Sequence, residues 1–267
     1  MLDKIVEVLQ AVREKTPLVQ AITNYVTIND CANILLCFGA SPAMVEVREE
    51  MKEFVPIISA LYINTGTLTK EQEEASLLAV KIAAELNKPV VLDPVACGVL
   101  RRKMDFIEKL FEYGKITVIK GNTGEIKALA GYSGKVRGVD SIDDGEGAGE
   151  ACRPLAEKTG AVVVSTGQTD IISDGKRTCL IQNGTSLLTL ITGAGCMAGA
   201  LTAATAAVNG DMLVSSAAAI MAIGVAGEMA ADSMPKALPG TFRMRLFDSI
   251  YSLTAEDVLK CGKIKCL

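Results

Sequence analysis

Short runs of consecutive apolar residues recur along this chain, and segments with helical periodicity lie between them. The runs predict strands at residues 18–22, 59–63, 89–92, 116–119 and 161–164. Strands that are apolar along their whole length, rather than at alternate positions, are covered by other elements on both faces. Their alternation with helices therefore predicts an α/β fold of three layers, in which a mostly parallel central sheet lies between helices.

The segments between these runs carry apolar residues at helical spacing. They predict helices at residues 2–12, 32–38, 71–86, 106–111 and 126–130, followed by almost continuous helix from Gly195 onward. A further apolar run at residues 43–47 predicts one more short strand.

Turn-forming residues indicate how the sheet is extended and how the chain is divided. Asp174, Gly175 and Lys176 separate two short apolar runs, and this pattern predicts a hairpin of antiparallel strands. The Gly- and Asp-rich residues 131–149 are interpreted as a surface loop rather than a linker. We therefore predict a single domain over residues 1–267.

The composition narrows the chemistry that the chain can perform. Of its 267 residues 49% are hydrophobic, the net charge is −4, and histidine is absent. Without histidine, Ser-His-Asp and Cys-His catalysis and the common zinc sites are excluded. Basic residues are not interleaved with aromatic ones, so we expect no nucleic-acid partner. The densest basic run, Arg101 to Lys103, is predicted to be a solvated loop.

Cysteine usage and hydropathy predict the location of the protein. The eight cysteines form no Cys-x-x-Cys pair and lie among apolar residues, so we expect unpaired thiols in a reducing cytoplasm, Cys261 and Cys266 included. The apolar residues 212–227 contain serine and are shorter than the roughly 20 residues that span a membrane. They predict a buried helix and no membrane partner.

A glycine-rich loop lies between an apolar run and an Ala-rich helical segment. Its residues are Thr192, Gly193, Ala194, Gly195 and Cys196. Glycines let a backbone approach a ligand closely, and the first N–H groups of a helix have no partner within it. Such a loop binds anions, phosphate above all, although similar glycines also occur for tight packing alone.

Polar or small residues also follow the predicted strands, at the points where the strands end. They are Asn64, Thr65 and Gly66, then Asp93, then Lys120, Gly121 and Asn122 with Glu125, then Thr166 and Gly167. In parallel α/β sheets, ligands bind outside the carboxyl ends of the strands. These residues and the glycine-rich loop are therefore predicted to form one site for phosphoryl transfer.

Two acidic residues at these strand ends are candidate ligands for Mg²⁺, because hard divalent cations prefer carboxylate oxygens. Asp93 follows a buried strand, and Glu125 lies three residues after Asn122. Taken alone, Asp93 is better interpreted as part of an Asp-Pro turn or as a helix cap. The Asn-x-x-Glu spacing also fits a capping box at a helix start, which is compatible with metal binding.

The segment from Lys120 to Glu125, together with the later glycine-rich loop, resembles the ribokinase superfamily. Within it, the chain is similar to the hydroxyethylthiazole kinase family over essentially its whole length. The matching segments are residues 21–30, 39–44, 66–69, 91–95, 138–141 and 192–196. The resemblance implies a ribokinase-like fold and ATP-dependent phosphorylation of 4-methyl-5-(2-hydroxyethyl)thiazole, a salvage step in thiamine synthesis.

The resemblance also implies roles for particular residues. Asn24, Val26, Met44 and Gly66 would line the thiazole pocket, which Gly193 would also contact. Lys120, Asn122 and Thr166 would bind ATP, and Asp93 and Glu125 would organise Mg²⁺. Gly193, Ala194, Gly195 and Cys196 would form the catalytic anion hole. A homotrimer with its sites at subunit interfaces is expected.

This chain departs from the family pattern at a few positions. Lys120 stands where the family usually has arginine, Gln20 where it usually has histidine, and Ala96-Cys97-Gly98 where it usually has Gly-Ala-Gly. Lysine keeps the charge of arginine but loses its bidentate geometry.

The role of Cys196 has two interpretations. A helix N-terminus lowers the pKa of a thiol, so a Cys196 thiolate could accept the proton of the alcohol. Phosphoryl transfer depends mainly on positioning and electrostatics, so Cys196 could instead only shape the pocket.

Other functions stay open at this point. One is a superfamily kinase for another small alcohol, such as hydroxymethylpyrimidine. Another is a nucleotide-binding regulator without catalysis. A redox protein is disfavoured, because the cysteines lack any dithiol motif.

Overall fold

A computed structural model of the chain describes residues 1–132, 148–232, 234 and 236–267. Within them, nine strands form a single sheet. The strands are β1 Leu18–Ile22, β2 Ser41–Ala43, β3 Ala60–Asn64, β4 Val90–Asp93, β5 Val118–Asn122, β6 Val162–Thr166, β7 Asp170–Ser173, β8 Thr178–Ile181 and β9 Ile264–Cys266. Their order in space is β2-β1-β3-β4-β5-β6-β7-β8-β9.

The helices lie on both faces of this sheet. They are α1 Leu2–Lys15, α2 Ile28–Phe38, α3 Met51–Phe54, α4 Lys70–Glu85, α5 Arg101–Tyr113, α6 Thr123–Leu129, α7 Ala148–Thr159, α8 Ala194–Ala206, α9 Met212–Asp232, α10 Pro239–Ser252 and α11 Ala255–Cys261. Short 3-10 turns add Arg48–Glu50, Val55–Ile57 and Ser186–Leu190.

Strands β1 to β6 run parallel, and β7, β8 and β9 pair antiparallel with their neighbours. The antiparallel pairing of β7 with β8 confirms the hairpin predicted around Gly175. Successive residues of a strand point to opposite faces. Val91 and Val118 accordingly pack in the cluster of α1, α2 and α8 to α11, whereas Leu92 and Ile119 pack against α3 to α7. The three-layer α/β prediction is confirmed.

The predicted strand at residues 43–47 is wrong. The strand ends at Ala43, because β2 pairs only with residues 18–20 of β1. Beyond that register no ladder forms, and Val47 has 50% of its surface exposed.

The prediction that Arg101 to Lys103 form a solvated loop is also wrong. These residues form the first turn of α5, and Lys103 is buried. Lys103, Phe106, Ile107 and Leu110 have the spacing of one helical face. Lys103 therefore lies on the inner side of α5, beside apolar residues.

The expectation that all cysteines are unpaired is wrong for two of them. Cys179 of β8 and Cys266 of β9 lie opposite each other in the antiparallel ladder and form a disulfide, with their Cα atoms 4.0 Å apart. Strand β9 also interrupts the helical C-terminal third that the sequence predicted. The 87-residue separation of the two cysteines leaves no local motif from which to predict the pair. The other six cysteines are free.

Helix α9 confirms the buried helix predicted at residues 212–227. It is long and apolar enough to cross a membrane, but 83% of its apolar window is buried in the protein. Most of the predicted surface loop at 131–149 lies outside the described residues, as does the matching segment 138–141. The end of that prediction is wrong, because α7 begins at Ala148.

Candidate active site

Four polar side chains project from adjacent strand ends toward the N-terminus of α8. Tyr62 and Asn64 of β3, Asp93 of β4 and Lys120 of β5 are all buried. Asn64 pairs in register with Asp93, and alternation along each strand places these residues on the face that α8 covers. The structure therefore brings together the strand ends that the sequence predicted to form one site.

The glycine-rich loop forms the N-terminus of α8. Gly193 is the N-cap residue with a φ angle of 86°, in the left-handed region, and the helix begins at Ala194. A Cβ atom on Gly193 would lie 2.6 Å from Cγ2 of Thr27. Glycine is thus required by both backbone conformation and space. The first N–H groups of α8 and its dipole favour a bound anion at this position.

Cys196 lies in the first turn of α8 and is half-buried. Its Sγ atom accepts hydrogen bonds from Nδ2 of Asn24 and Nδ2 of Asn64, each at 3.3 Å. Burial raises the pKa of the Cys196 thiol, and the Asp93 carboxylate raises it further. The predicted lowering of this pKa by the helix N-terminus is therefore wrong, because desolvation and a nearby negative charge outweigh the dipole.

Asn64 connects the elements of the site through both ends of its amide. Its Oδ1 atom accepts from Nδ2 of Asn24 and from the backbone N–H of Gly66, each at 2.9 Å. Its Nδ2 atom donates to the Tyr62 hydroxyl at 3.0 Å as well as to Cys196. The sequence placed Asn64 at a strand end without giving it a role.

The residues predicted to line the thiazole pocket are only partly brought together. Asn24 and Gly66 touch, because a Cβ atom on Gly66 would lie 2.6 Å from Cβ of Asn24. Met44 is half-buried and packs on the core cluster that includes α8. Val26 is 62% exposed and lies at the surface of the chain. Of these residues, Asn24 contacts Cys196 directly, and Gly66 lies beside Asn24.

Lys120 and Asp93 form a buried ion pair beneath the glycine-rich loop. Lys120 Nζ lies 3.3 Å from Asp93 Oδ2 and donates to the Gly195 carbonyl at 3.0 Å. Burial disfavours the ammonium form, but the carboxylates of Asp93 and Glu125 offset this and raise the pKa of Lys120. The lysine therefore remains charged and adds a positive charge below the start of α8.

Glu125 and Asn122 form the capping box that the sequence predicted at the start of α6. Asn122 Oδ1 accepts from the N–H of Glu125 at 2.9 Å, and Glu125 Oε2 accepts from the N–H of Asn122 at 2.8 Å. Glu125 Oε1 also accepts from the N–H of Ala96 at 3.0 Å. Burial raises the pKa of the Glu125 carboxyl, and repulsion from Asp93 adds to this rise.

Asp93 and Glu125 have the chemistry of a divalent-cation site. A cation would relieve the repulsion between the two carboxylates, and each carboxylate oxygen has a second lone pair for a metal-bound water. Among the described residues, no group of three or more acidic or cysteine side chains forms a metal cage. The donor set therefore fits a cation that keeps most of its water, as Mg²⁺ does.

The predicted nucleotide contacts lie side by side at the ends of β5 and β6. Asn122 pairs in register with Thr166, and the Thr166 hydroxyl donates to the Gly121 carbonyl at 3.3 Å. Lys120 lies two residues before Asn122 on the same strand. Of these three residues, Lys120 contacts the glycine-rich loop, through the Gly195 carbonyl.

Two buried residues with contacts in or beside the site were not predicted from the sequence. The Tyr62 hydroxyl lies 3.1 Å from Asp93 Oδ2 and 3.0 Å from the Cys196 carbonyl. Lys103 Nζ donates to the carbonyls of Gly66 and Val95. Strand alternation from Asn64 could have identified Tyr62, and the apolar face of α5 could have identified Lys103.

Comparison with known proteins gives the same family for a family model and for individual relatives. The family model described as the hydroxyethylthiazole kinase family matches residues 9–256. Hydroxyethylthiazole kinase 1 of Clostridium botulinum (strain Okra / Type B1) is 55% identical over 258 residues, which are 97% of each chain. Hydroxyethylthiazole kinase of Clostridium novyi (strain NT) is 54% identical over 265 residues, which are 99% of each chain.

Solved structures show the same similarity. The hydroxyethylthiazole kinase of Pyrococcus horikoshii OT3 superposes with a TM-score of 0.91 at 37% identity, and the alignment covers 98% of each chain. The pyridoxal kinase of Staphylococcus aureus in complex with AMP-PCP has a TM-score of 0.57 at 18% identity, covering 76% of this chain and 84% of that one. The second match shows a shared fold.

Proposed function

Because the chain belongs to the hydroxyethylthiazole kinase family, we propose that it phosphorylates the primary hydroxyl of 4-methyl-5-(2-hydroxyethyl)thiazole with ATP. This is a salvage step in thiamine synthesis. The alcohol oxygen forms a bond to the γ-phosphorus, the bond from that phosphorus to the bridging oxygen of ADP breaks, and the hydroxyl proton is released. The observation that carries the proposal is the contact of Cys196 with Asn24 and Asn64 at the N-terminus of α8.

The alcohol binds beside Asn24 and Gly66, with Val26, Met44 and Gly193 completing its pocket. The contact between Asn24 and Gly66, and their common hydrogen bonds to Asn64, support this placement. The reactive hydroxyl then lies near Cys196 and the first N–H groups of α8. Holding two reactants in this way supplies much of the rate enhancement in phosphoryl transfer.

The transferred phosphoryl group binds at residues 193–196. The helix N-terminus and the Lys120 ammonium both favour the negative charge of the phosphoryl oxygens. Lys120, Asn122 and Thr166 bind the remaining phosphates of ATP, which fits their position at the ends of β5 and β6. The S. aureus pyridoxal kinase has the same fold and was solved with AMP-PCP, which supports the binding of a nucleotide by this fold.

Asp93 and Glu125 would hold Mg²⁺ through its water molecules. The two buried carboxylates, one of which has its pKa raised in part by the other, support this assignment. When bound, the ion would neutralise charge on the phosphates. Asp93 in turn is held by Lys120 and by Tyr62, which keeps its carboxylate in a fixed orientation.

The role of Cys196 as the base is tested by its replacement with aspartate. If this position accepts the proton of the alcohol, Cys196→Asp is expected to keep or raise kcat, because a carboxylate can take the proton and can accept from the two amide donors that now contact Sγ. The measurement is kcat at saturating ATP and thiazole. A variant that binds both substrates normally but has no turnover would show that this position is not the base.

The family resemblance also supports a homotrimer located in the cytoplasm, with each thiazole site at a subunit boundary. Tyr25 and Val26 follow Asn24 and are 55% and 62% exposed in the single chain, so a second subunit would cover apolar surface beside the site. Sedimentation equilibrium tests this assembly, and a monomeric particle at working concentration contradicts it.

The function is tested by ATP-dependent phosphorylation of hydroxyethylthiazole with Mg²⁺, followed by ADP release, with hydroxymethylpyrimidine in parallel. Turnover with the thiazole alone supports both the reaction and the pocket. Turnover with the pyrimidine alone would keep the kinase activity and overturn the roles of Asn24 and Met44. Binding of ATP without turnover on either compound would indicate a regulator instead.

A further inference from the structure

Lys103 is a buried lysine on the opposite side of the sheet from α8. It belongs to the first turn of α5, where it has 8% of its surface exposed. Its ammonium lies 2.6 Å from the carbonyl oxygen of Gly66 and 3.0 Å from that of Val95. A single charged group thus joins the loop after β3 to the loop after β4.

The first of these loops carries the predicted contacts of the alcohol. Gly66 donates its N–H to Asn64 and packs against Asn24. Arg102, the neighbour of Lys103, lies with its NH1 group 3.3 Å from the Leu68 carbonyl, so two successive residues of α5 hold this loop. The position of Gly66 relative to Cys196 therefore depends on α5.

The second loop carries the carboxylates. Val95 lies between Asp93 and Ala96, and the N–H of Ala96 donates to Glu125. The two loops also touch directly, because Thr65 donates through Oγ1 to the Val95 carbonyl at 3.1 Å. Lys103 adds a second link between the same loops, this time through a charge.

Burial of the Lys103 ammonium is energetically unfavourable compared with burial of an apolar side chain. Removing a charge from water is unfavourable unless hydrogen bonds compensate, and an apolar side chain would fit the adjoining face formed by Phe106 and Ile107. Hydrogen bonds from a charged donor to backbone carbonyls are shorter and stronger than neutral ones. The lysine therefore fixes these two carbonyls more firmly than packing alone would.

We propose that Lys103 is a positioning residue, which fixes the loop that binds the alcohol relative to the loop that carries the carboxylates. It acts through Gly66 and Val95 and touches no reacting atom. The inference rests on the proposed function for the identity of the substrate, but the hold of Lys103 on the two loops is independent of it.

The kinetic test compares Lys103→Met with a matched control. Without the ammonium, the free enzyme occupies the binding-competent loop arrangement less often, so KM for the thiazole is expected to rise about tenfold, with a rise of less than about threefold for ATP. Lys88 supplies the control, because its ammonium also donates to a backbone carbonyl, that of Ile58 at 2.7 Å. Ile58 and Lys88 lie in the segments that precede β3 and β4, whereas Lys103 contacts the loops that follow these strands. Lys88→Met is expected to leave both KM values unchanged.

Hydrogen exchange supplies a readout that does not require activity. In Lys103→Met, the amides of residues 64–68 and 95–97 are expected to exchange faster, whereas Lys88→Met leaves these two segments unchanged. Lys103→Arg keeps a charged donor and is expected to restore slow exchange and the low KM. If Lys103→Met does not fold, Lys103→Gln, which keeps a neutral donor, is expected to show the same changes to a smaller degree.

The proposal is overturned if Lys103→Met keeps the wild-type KM and exchange pattern. It is also overturned if Lys103→Met and Lys88→Met raise KM equally, because that indicates general loosening. Wild-type protein without turnover on the thiazole would instead reject the proposed function, while the exchange measurement would still decide whether Lys103 holds the loops.

Discussion

Lys120→Met is expected to lower the free energy of unfolding by about 3–5 kcal/mol and to abolish turnover, because it leaves a buried carboxylate without its partner. The side chains of Lys120 and Asp93 are only 4% and 3% exposed, so water cannot replace the lost ammonium. Asp93 would retain the Tyr62 hydroxyl but would still face Glu125. Urea denaturation and the kinase assay measure the two effects.

The pH dependence of this variant follows from the unpaired carboxylate. Burial already raises the pKa of Asp93 with Lys120 present, and in Lys120→Met this folded-state pKa rises further, because no ammonium opposes the effect of burial. The contribution of Asp93 to the free energy of unfolding is therefore most favourable below its unfolded pKa, and it is lost as the pH rises through its folded pKa. The destabilisation should therefore be smaller in acid than at neutral pH, and equal losses at both would contradict an unpaired Asp93.

Two control variants separate the buried pair from charge loss in general. Lys120→Arg, the residue that the family usually has, keeps the charge and is expected to retain the fold and turnover. Arg153→Met breaks an exposed pair with Glu157 on α7, where both side chains are more than half exposed. It is expected to cost less than about 1 kcal/mol. A loss from Lys120→Met no larger than this would show that the pair contributes little.

Asn64→Asp is expected to lower kcat/KM for the thiazole by roughly 100-fold, because it turns a donor into an acceptor at the centre of the site. The new carboxylate still accepts from Asn24 and Gly66. It can no longer donate to Tyr62 or Cys196, and it adds a negative charge beside Asp93. Steady-state kinetics with varied thiazole measure the effect.

Asn183→Asp is the matched control for this variant. Asn183 is also buried, and its Nδ2 atom donates to Glu228 and to the Cys261 carbonyl, neither of which is assigned to the candidate active site. Its replacement is expected to reduce stability through repulsion from Glu228 while the kinetic constants stay unchanged. If Asn64→Asp keeps the wild-type kcat/KM, the network around Asn64 does not position the substrate.

The sequence predicted the architecture because the relevant signals are local. Continuous apolar strands require cover on both faces, and this places helices in two layers. Strand ends in a parallel sheet meet at one edge, so Asp93 and Lys120 could be assigned to one site without coordinates. The Asn122 capping box and the Gly193 loop could also be predicted, because each involves only a few consecutive residues.

The errors fall where long-range contacts override local patterns. The basic run from Arg101 to Lys103 was predicted to be solvated, yet Lys103 is buried and donates to two carbonyls from other loops. Cys266 was predicted to be a free thiol, yet the last strand brings it opposite Cys179. The pKa of Cys196 was predicted from its helix position, yet burial and Asp93 reverse the direction.

The sequence alone determined the layers, the edge of the sheet that carries the site, and the loop that suits an anion. Each follows from periodicity or from a backbone conformation that nearby residues impose. Only the tertiary structure decided that Asn64 links Asn24 to Cys196, that Lys120 neutralises Asp93, and that Lys103 joins two loops. These contacts join residues far apart in the chain, and burial determines their charge and strength, which no local pattern encodes.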